Sequence, residues 1–174
     1  SVADKDKLRK LNSELSLLNL KYGDNLLAET NAYELVIDKK EDLAGLPAEI
    51  IEAAAVEAKA KGKEGKWVFT LSNSSVMPFL QYSSNRDLRQ TLWNAYQKRG
   101  NNDNQYDNKE VVKQIANLRM EKAQLLGYKN HAAYVLEESM AKNPENVNAL
   151  LNKLWLPALE KAKDVDVIVL CLGE

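Results

Sequence analysis

The amino-acid sequence predicts a mainly α fold, a multi-helix domain with a small two-stranded antiparallel sheet. Apolar residues recur at three- and four-residue spacing through most of the chain, which is the period of one helix face. Only two short segments alternate apolar and polar residues, which is the period of a strand. The chain has 174 residues and is 45% hydrophobic, which suits one domain with a core and excludes a disordered chain.

The N-terminal segment carries a heptad-like apolar stripe. Its members are Leu8, Leu11, Leu15, Leu18 and Tyr22. Four turns are few for a free coiled coil, so we expect a helix docked on a core, with Leu26 and Leu27 extending it.

The two alternating segments follow this helix. They contain Tyr33, Leu35 and Ile37 in the first and Trp67, Phe69 and Leu71 in the second. We expect residues 33–38 and 66–71 to pair as the antiparallel sheet, because no other segment before the last eleven residues has a strand-like pattern. Between them, residues 42–47 form a turn into a helix with Pro47 in its first turn, and residues 59–66 form a solvated loop.

Residues 72–85 contain Ser, Asn and Pro around a few apolar residues, and we interpret them as a short apolar turn over the core. Ser84 and Asp87 have capping-box spacing for a helix that reaches Arg99. The polar stretch 100–108 is predicted to be an exposed loop.

The longest helical pattern runs from residue 107 to residue 141. Asp107 and Glu110 form a second capping-box pattern, Gly127 suits a helix C-terminus, and Asn130 can cap the next helix. The apolar positions are Val111 or Val112, Ile115, Leu118, Leu125 and Leu126, then Ala133, Leu136 and Met140. Asn143 and Pro144 start a further helix, which we expect to bend or restart at Pro157.

The last eleven residues change character. Residues 164–174 are apolar and β-branched, in the style of a buried strand. We therefore divide the chain into a helical lobe, residues 1–163, and a strand-like tail of uncertain origin, residues 164–174. An edge strand also predicts self-association through this tail.

Composition limits the partners and the compartment. The net charge is −1, which favours neither nucleic acid nor an anionic membrane surface as a partner, and scattered charges exclude a membrane-spanning run. One cysteine, Cys171, cannot form an intrachain disulfide. The chain begins with Ser1, which we interpret as a sign of processing or of a piece of a longer protein. Cytoplasmic and periplasmic locations both fit.

Several residue types could carry chemistry, and each has a structural interpretation that we favour. His131 is the only histidine, whereas a catalytic zinc takes three protein ligands, so we expect a helix-start residue. Glu137, Glu138 and Glu145 could act as acid–base carboxylates but lie near turns, where solvated charges are commoner. Cys171 suits a small buried residue better than a nucleophile.

Arginines and tryptophans give the remaining candidates. Arg86, Arg89 and Arg119 could clamp an anion or a peptide carboxylate, although pairing with Asp and Glu within the fold is the favoured interpretation. Trp67, Trp93 and Trp155 are expected to be core anchors rather than a stacking platform for bases.

Four ordered blocks carry a family resemblance. They are DLAGLP (42–47), GKWVFTL (65–71), NRDLRQTLWNAYQKR (85–99) and DNKEVVKQIANLRMEKAQLLGYKNHAAYVLEESMAKNPENV (107–147). Together they resemble the thimet oligopeptidase family of zinc peptidases, with the greatest similarity to bacterial peptidyl-dipeptidases. The resemblance covers about residues 8 to 162, and the tail departs from the family pattern.

This resemblance implies a nearly all-helical enzyme that cuts short unstructured peptides in a deep channel between two lobes. It also implies zinc on an HExxH helix with a downstream Glu. None of these residues matches a position here, so we expect no catalytic, cofactor-binding or metal-ligating residue in this chain and zinc only in the full-length parent. The chain then resembles the non-catalytic lobe that walls the channel. The alternative is a stand-alone helical module that binds peptides or another protein, and an HExxH segment downstream in the gene would separate the two.

Overall fold

The computed structural model describes residues 1–164. Its elements are α1 (Val2–Ala32), β1 (Leu35–Ile37), a short 3-10 helix (Lys40–Leu43), α2 (Ala48–Ala60), β2 (Trp67–Phe69), α3 (Asn73–Tyr82), α4 (Arg86–Gln97), α5 (Lys109–Leu125), α6 (His131–Leu136) and α7 (Pro144–Ala162). The predicted mainly α fold with one two-stranded antiparallel sheet is confirmed. All but the first residue of the predicted tail, and Cys171 within it, lie outside the described residues, so the strand and self-association through it stay predictions.

The described chain forms two compact units. One comprises residues 12–116, and the other joins residues 1–11 to the segment from Asn117 onward. Helices α1 and α5 each contribute to both units, because the divisions fall inside them.

The sheet and its cover form the core of the 12–116 unit. Strands β1 and β2 pair antiparallel, with Leu35 opposite Phe69 and Ile37 opposite Trp67. Phe69 packs edge-on against Phe79 of α3, with ring centroids 4.6 Å apart. The buried cluster contains Leu35, Ile37, Leu43, Leu46, Ala54, Phe69, Leu71, Val76, Phe79 and Leu92. A lone hairpin is marginally stable, so this helical cover stabilises the sheet.

The prediction that residues 72–85 form an apolar turn is wrong. Most of this segment, Asn73–Tyr82, forms helix α3. Val76 and Phe79 lie on one face three residues apart and are fully buried. Pro78 lies inside the helix. Proline lacks the N–H that an internal helix position donates, so the local sequence favours a turn at this point. Burial of the apolar face outweighs that loss.

The cap of α4 differs from the prediction by one residue. Asn85, and not Ser84, is the N-cap, and its side-chain oxygen accepts hydrogen bonds from the N–H groups of Asp87 and Leu88, both at 3.1 Å. Asn85 Nδ2 also donates to Asp42 Oδ1 at 2.9 Å, which joins the helix start to the turn before α2. The N–H of Ser84 donates instead to the carbonyl of Ala44 at 2.8 Å.

The capping box predicted for α5 does not form. Helix α5 begins at Lys109, and the carbonyl of Asn108 accepts its first backbone bond, from Val112, so Asp107 lies one residue before the N-cap position; its Oδ1 accepts a hydrogen bond from the N–H of Lys109 at 2.9 Å. Glu110 does not return the bond: the N–H of Asp107 donates to the carbonyl of Asn104 at 3.1 Å, and the carboxylate of Glu110 lies 3.4 Å from Lys113 Nζ. At the other end, Gly127 has a φ of 88°, and the N–H of Tyr128 donates to the carbonyl of Ala123 at 2.9 Å. That bond is the closing bond of a glycine-terminated helix.

The helices after α5 are only partly as predicted. Asn130 caps α6 by accepting from the N–H of Ala133 at 2.9 Å, and Asn143 caps α7 by accepting from the N–H of Asn146 at 2.8 Å. Helix α6 ends at Leu136, however, so the predicted apolar position Met140 lies beyond it and is fully exposed. At Pro157 the sequence predicts a bend or a restart; helix α7 continues through Pro157 to Ala162 and does not restart there.

Candidate functional site

The most developed polar arrangement of the 12–116 unit surrounds Glu29, near the end of α1. The side chain is 8% exposed. Its Oε1 accepts hydrogen bonds from Asn102 Nδ2 at 2.8 Å and Asn104 Nδ2 at 2.6 Å, and its Oε2 accepts one from the N–H of Gly100. The residues that donate all belong to the 100–108 loop, so this buried carboxylate holds the loop in place.

Burial and hydrogen bonding act on Glu29 in opposite directions. Burial raises the pKa of the carboxyl group, while the bonds from Gly100, Asn102 and Asn104 lower it, and the bonds together outweigh burial. The pKa of Glu29 therefore lies below its ordinary value, and the group is a carboxylate at neutral pH. A poised acid or base would need a pKa nearer to the working pH.

A cleft of about 300 Å³ adjoins this network. Its lining comprises Glu29, Ala32, Tyr33, Leu71, Ala95, Arg99, Asn102 and Asn104. The guanidinium of Arg99 lies over the Tyr96 ring, 3.9 Å from its centroid, and donates to Thr30 Oγ1 and to the carbonyl of Tyr96, both at 3.0 Å. The two charged side chains of the cleft, Glu29 and Arg99, therefore both form hydrogen bonds with other residues of the chain. This indicates a role in stability rather than in catalysis.

Asn108 completes the attachment of the loop to α1. It is almost fully buried, donates from Nδ2 to the carbonyl of Tyr22 at 3.1 Å, and accepts at Oδ1 from Asn25 Nδ2 at 2.9 Å. The prediction that residues 100–108 are simply exposed is therefore wrong at Gly100 and Asn108, which are buried. Sequence inspection missed Glu29 and Asn108 because their partners lie more than 70 positions away along the chain.

The structure brings together two of the three candidate arginines. Arg86 and Arg89 line an open depression of about 470 Å³ with Leu80, Gln90 and Trp93. Arg89 donates to the carbonyl of Ser83, so it pairs with the backbone rather than with an acidic side chain. Arg119 lies instead on α5, where its charge acts on His131.

His131 is the first residue of α6, as expected for a helix-start residue. Its Nδ1 is buried and has no hydrogen-bond partner among residues 1–164. Burial lowers the pKa of His131, and the nearby cations Arg119 and Lys122 lower it further. The imidazole is therefore neutral at pH 7 and faces positive charge, a poor setting for a metal ligand.

The candidate glutamates are exposed. Glu137 accepts a hydrogen bond from the Tyr128 hydroxyl, and this bond, more than burial, raises the pKa of Tyr128. Glu138 and Glu145 are exposed, which agrees with solvated charges. Within residues 1–164 no group of three or more His, Cys, Asp and Glu side chains could hold a metal ion.

The tryptophans were only partly predicted. Trp67 packs against the core, as expected. Trp93 is 47% exposed and Trp155 is 59% exposed, so the prediction that they are core anchors is wrong. Their faces of α4 and α7 lack cover among the described residues. None of the helices in residues 1–164 combines the length and the apolar character that a membrane-spanning segment requires.

Known proteins match the chain over most of its length. Residues 79–165 match the model of peptidase family M3, which is half of the chain. The chain is 34% identical to the probable cytosolic oligopeptidase A of Arabidopsis thaliana over 92% of this chain and 24% of that protein. It is 37% identical to oligopeptidase A of Haemophilus influenzae, over 82% of this chain and 21% of that protein. It is 31% identical to dipeptidyl carboxypeptidase of Escherichia coli, over 93% of this chain and 24% of that protein.

These matches agree with the four sequence blocks that carried the resemblance. The chain spans between a fifth and a quarter of the length of the relatives that it matches. Family M3 is a family of zinc metallopeptidases. The chain belongs to peptidase family M3.

Proposed function

We propose that this chain is the helical, non-catalytic part of a zinc-dependent peptidyl-dipeptidase or oligopeptidase. In this proposal it walls the channel that admits short peptides and excludes folded proteins, and the zinc site belongs to another part of the enzyme. The observation that carries the proposal is the match to family M3 in a chain with a single histidine. An HExxH helix needs two histidines four residues apart.

The surroundings of His131 support the absence of zinc from this part. A catalytic zinc needs two further protein ligands close to a first one. His131 belongs to no group of three or more His, Cys, Asp and Glu side chains within residues 1–164 that could hold a metal ion, and the cations Arg119 and Lys122 lie near it. The residues present therefore do not fit the metal that the family uses.

The purified chain tests this part of the proposal. We expect no stoichiometric zinc by metal analysis and no hydrolysis of short unstructured peptides, because a catalytic zinc needs three protein ligands. One tightly bound zinc per chain, with peptidase activity that a chelator abolishes, would overturn it.

A chimaera tests the channel role. Residues 1–164 would replace the segment of Haemophilus influenzae oligopeptidase A that they match, and the intact relative serves as the control. We expect the chimaera to cleave short peptides and to leave a folded protein uncleaved. Cleavage of the folded protein by the chimaera alone would show that this segment does not restrict access.

A second candidate is a peptide-binding module without catalysis, and the depression beside Trp93 favours it. Arg86 and Arg89 lie beside an exposed aromatic ring there, a composition common in recognition surfaces. In that case the chain alone should bind a peptide carboxylate, and Arg86→Gln should weaken binding. Calorimetry that shows no binding of peptides by the chain alone would eliminate this candidate.

A further inference from the structure

Helix α7 carries an apolar face with no cover among residues 1–164. Its six large apolar side chains are between 44% and 64% exposed: Leu150, Leu151, Leu154, Trp155, Leu156 and Leu159. Leu150, Leu151, Leu154 and Trp155 lie on one face of the helix, and monomeric proteins seldom expose a large contiguous apolar patch. The exposure therefore calls for a partner surface.

The spacing of these residues defines one face. Val147, Leu150, Leu151, Leu154, Trp155 and Ala158 are separated by intervals of 3, 1, 3, 1 and 3 residues. That spacing places them on a single side of a helix with 3.6 residues per turn. We call these six residues the α7 stripe. Leu156 lies roughly 160° around the helix from Leu154 and is outside the stripe.

The unit that contains α7 offers little core of its own. Among its described residues only Leu11 and Ala123 are buried apolar residues, and α6 and α7 contain none. Amphipathic helices derive most of their stability from packing of the apolar face. A surface that covers the α7 stripe would supply the packing that this unit lacks.

The comparisons show how much of each relative lies outside the segment that this chain matches. The family M3 match extends to residue 165 and so includes all of α7. At least three quarters of each relative lies outside its match, because the matches span only 21–24% of those proteins. The stripe thus belongs to sequence that the family model describes, and most of each relative lies outside the part that matches this chain.

We propose that the α7 stripe is the docking face for the part of the M3 peptidase fold that lies outside these 174 residues. The inference rests on the proposed function, since it assumes that this chain is one part of such an enzyme. The occupant is a polypeptide with an apolar surface from the remaining part of the enzyme, and a second copy of this chain is the competing occupant.

The test compares two leucines of one helix. Leu154→Asp places a charge in the stripe, and Leu156→Asp places the same charge on the opposite side. The two side chains are 62% and 64% exposed, so both variants should leave the unfolding midpoint of the isolated chain unchanged. The partner is Haemophilus influenzae oligopeptidase A without the segment that this chain matches, mixed with the full chain. We expect the natural chain to bind this partner. Leu154→Asp should weaken the affinity at least about tenfold, because burial of an unpaired carboxylate is costly, and Leu156→Asp should leave the affinity nearly unchanged.

The same two variants are also made in the chimaera, because the truncated partner could fail to fold by itself. There we expect Leu154→Asp, and not Leu156→Asp, to lower the melting temperature. Equal effects of the two variants in both formats, or a stripe that only mediates dimers of the chain, would overturn the inference. Binding through the stripe without gain of peptidase activity would support the docking face and contradict the proposed function instead. Gain of activity with no effect of Leu154→Asp would leave the proposed function and overturn the docking face.

Discussion

At the scale of single residues, the buried carboxylate of Glu29 holds a loop that begins 71 positions later in the chain. Three donors converge on it, and a charged acceptor makes each of those hydrogen bonds stronger than a neutral one. The loop 100–108 is polar in sequence and yet fixed in place. Its position therefore depends on one acidic side chain of α1.

Glu29→Gln should destabilise the protein by about 1–3 kcal/mol, because one of the two acceptor oxygens becomes an NH2 group, which then meets either the N–H of Gly100 or the amide donors of Asn102 and Asn104. Denaturation in urea measures the change. Glu14→Gln on the same helix is the matched control, and since Glu14 is exposed its effect should stay within about 0.5 kcal/mol. Equal effects at the two positions would mean that the Glu29 network contributes nothing to stability.

His131 gives a pH dependence whose sign follows from its surroundings. Burial, Arg119 and Lys122 all lower the pKa of His131 in the folded state, so protonation favours the unfolded state. Stability should rise with pH between the lowered folded pKa and about 6.5, the ordinary value in the unfolded chain, and the full contribution is present above that.

His131→Asn should reduce this pH dependence. The urea midpoint of the natural protein should decrease when the pH is lowered from 7.5 to 5.5. The midpoint of the variant should decrease less, because residue 131 then has no titrating group. Carboxyl groups titrate equally in both proteins and cancel in the comparison. Identical pH profiles would show that the pKa of His131 is the same in the folded and unfolded states, and would contradict this prediction.

At the scale of elements, several short-range helix-end signals could be predicted from the sequence, and the long-range contacts could not. Asn130, Asn143 and Gly127 act on their own helix ends within a few residues, and each was predicted correctly. Helix α3 was missed because Pro78 opposes a helix locally, while Val76 and Phe79 favour it only through burial against the sheet. No local pattern could reveal Asn108, whose bonds reach across to Tyr22 and Asn25.

The sheet gives a prediction at this scale. Phe69 is 1% exposed and packs on Phe79, so Phe69→Ala should cost about 3–5 kcal/mol through lost burial and a new cavity. Val36 lies on the paired strand and is 38% exposed, which makes Val36→Ala a control with an expected cost below about 1 kcal/mol. Chemical denaturation measures both values. A cost for Phe69→Ala as low as that of the control would mean that the sheet is not part of the core.

At the scale of the whole molecule, burial is distributed unevenly. The buried cluster lies between Leu35 and Leu92, whereas α7 has no buried residue. Family membership and the mainly α class were readable from ordered sequence blocks and periodicity. The uneven burial was not, because periodicity shows that a helix has an apolar face and not whether anything covers it.

Hydrogen exchange of the full chain should display this difference. Amides open locally with free energies that range from near zero to that of global unfolding, and buried packing sets where each lies. Amides of β2 and α4 should therefore exchange most slowly, and those of α7 much faster. Measurement at two protein concentrations serves as the control, because self-association would slow α7 only at the higher one. Slow exchange in α7 at both concentrations would show that its apolar face is already covered within the chain, and would contradict both the uneven core and the docking face.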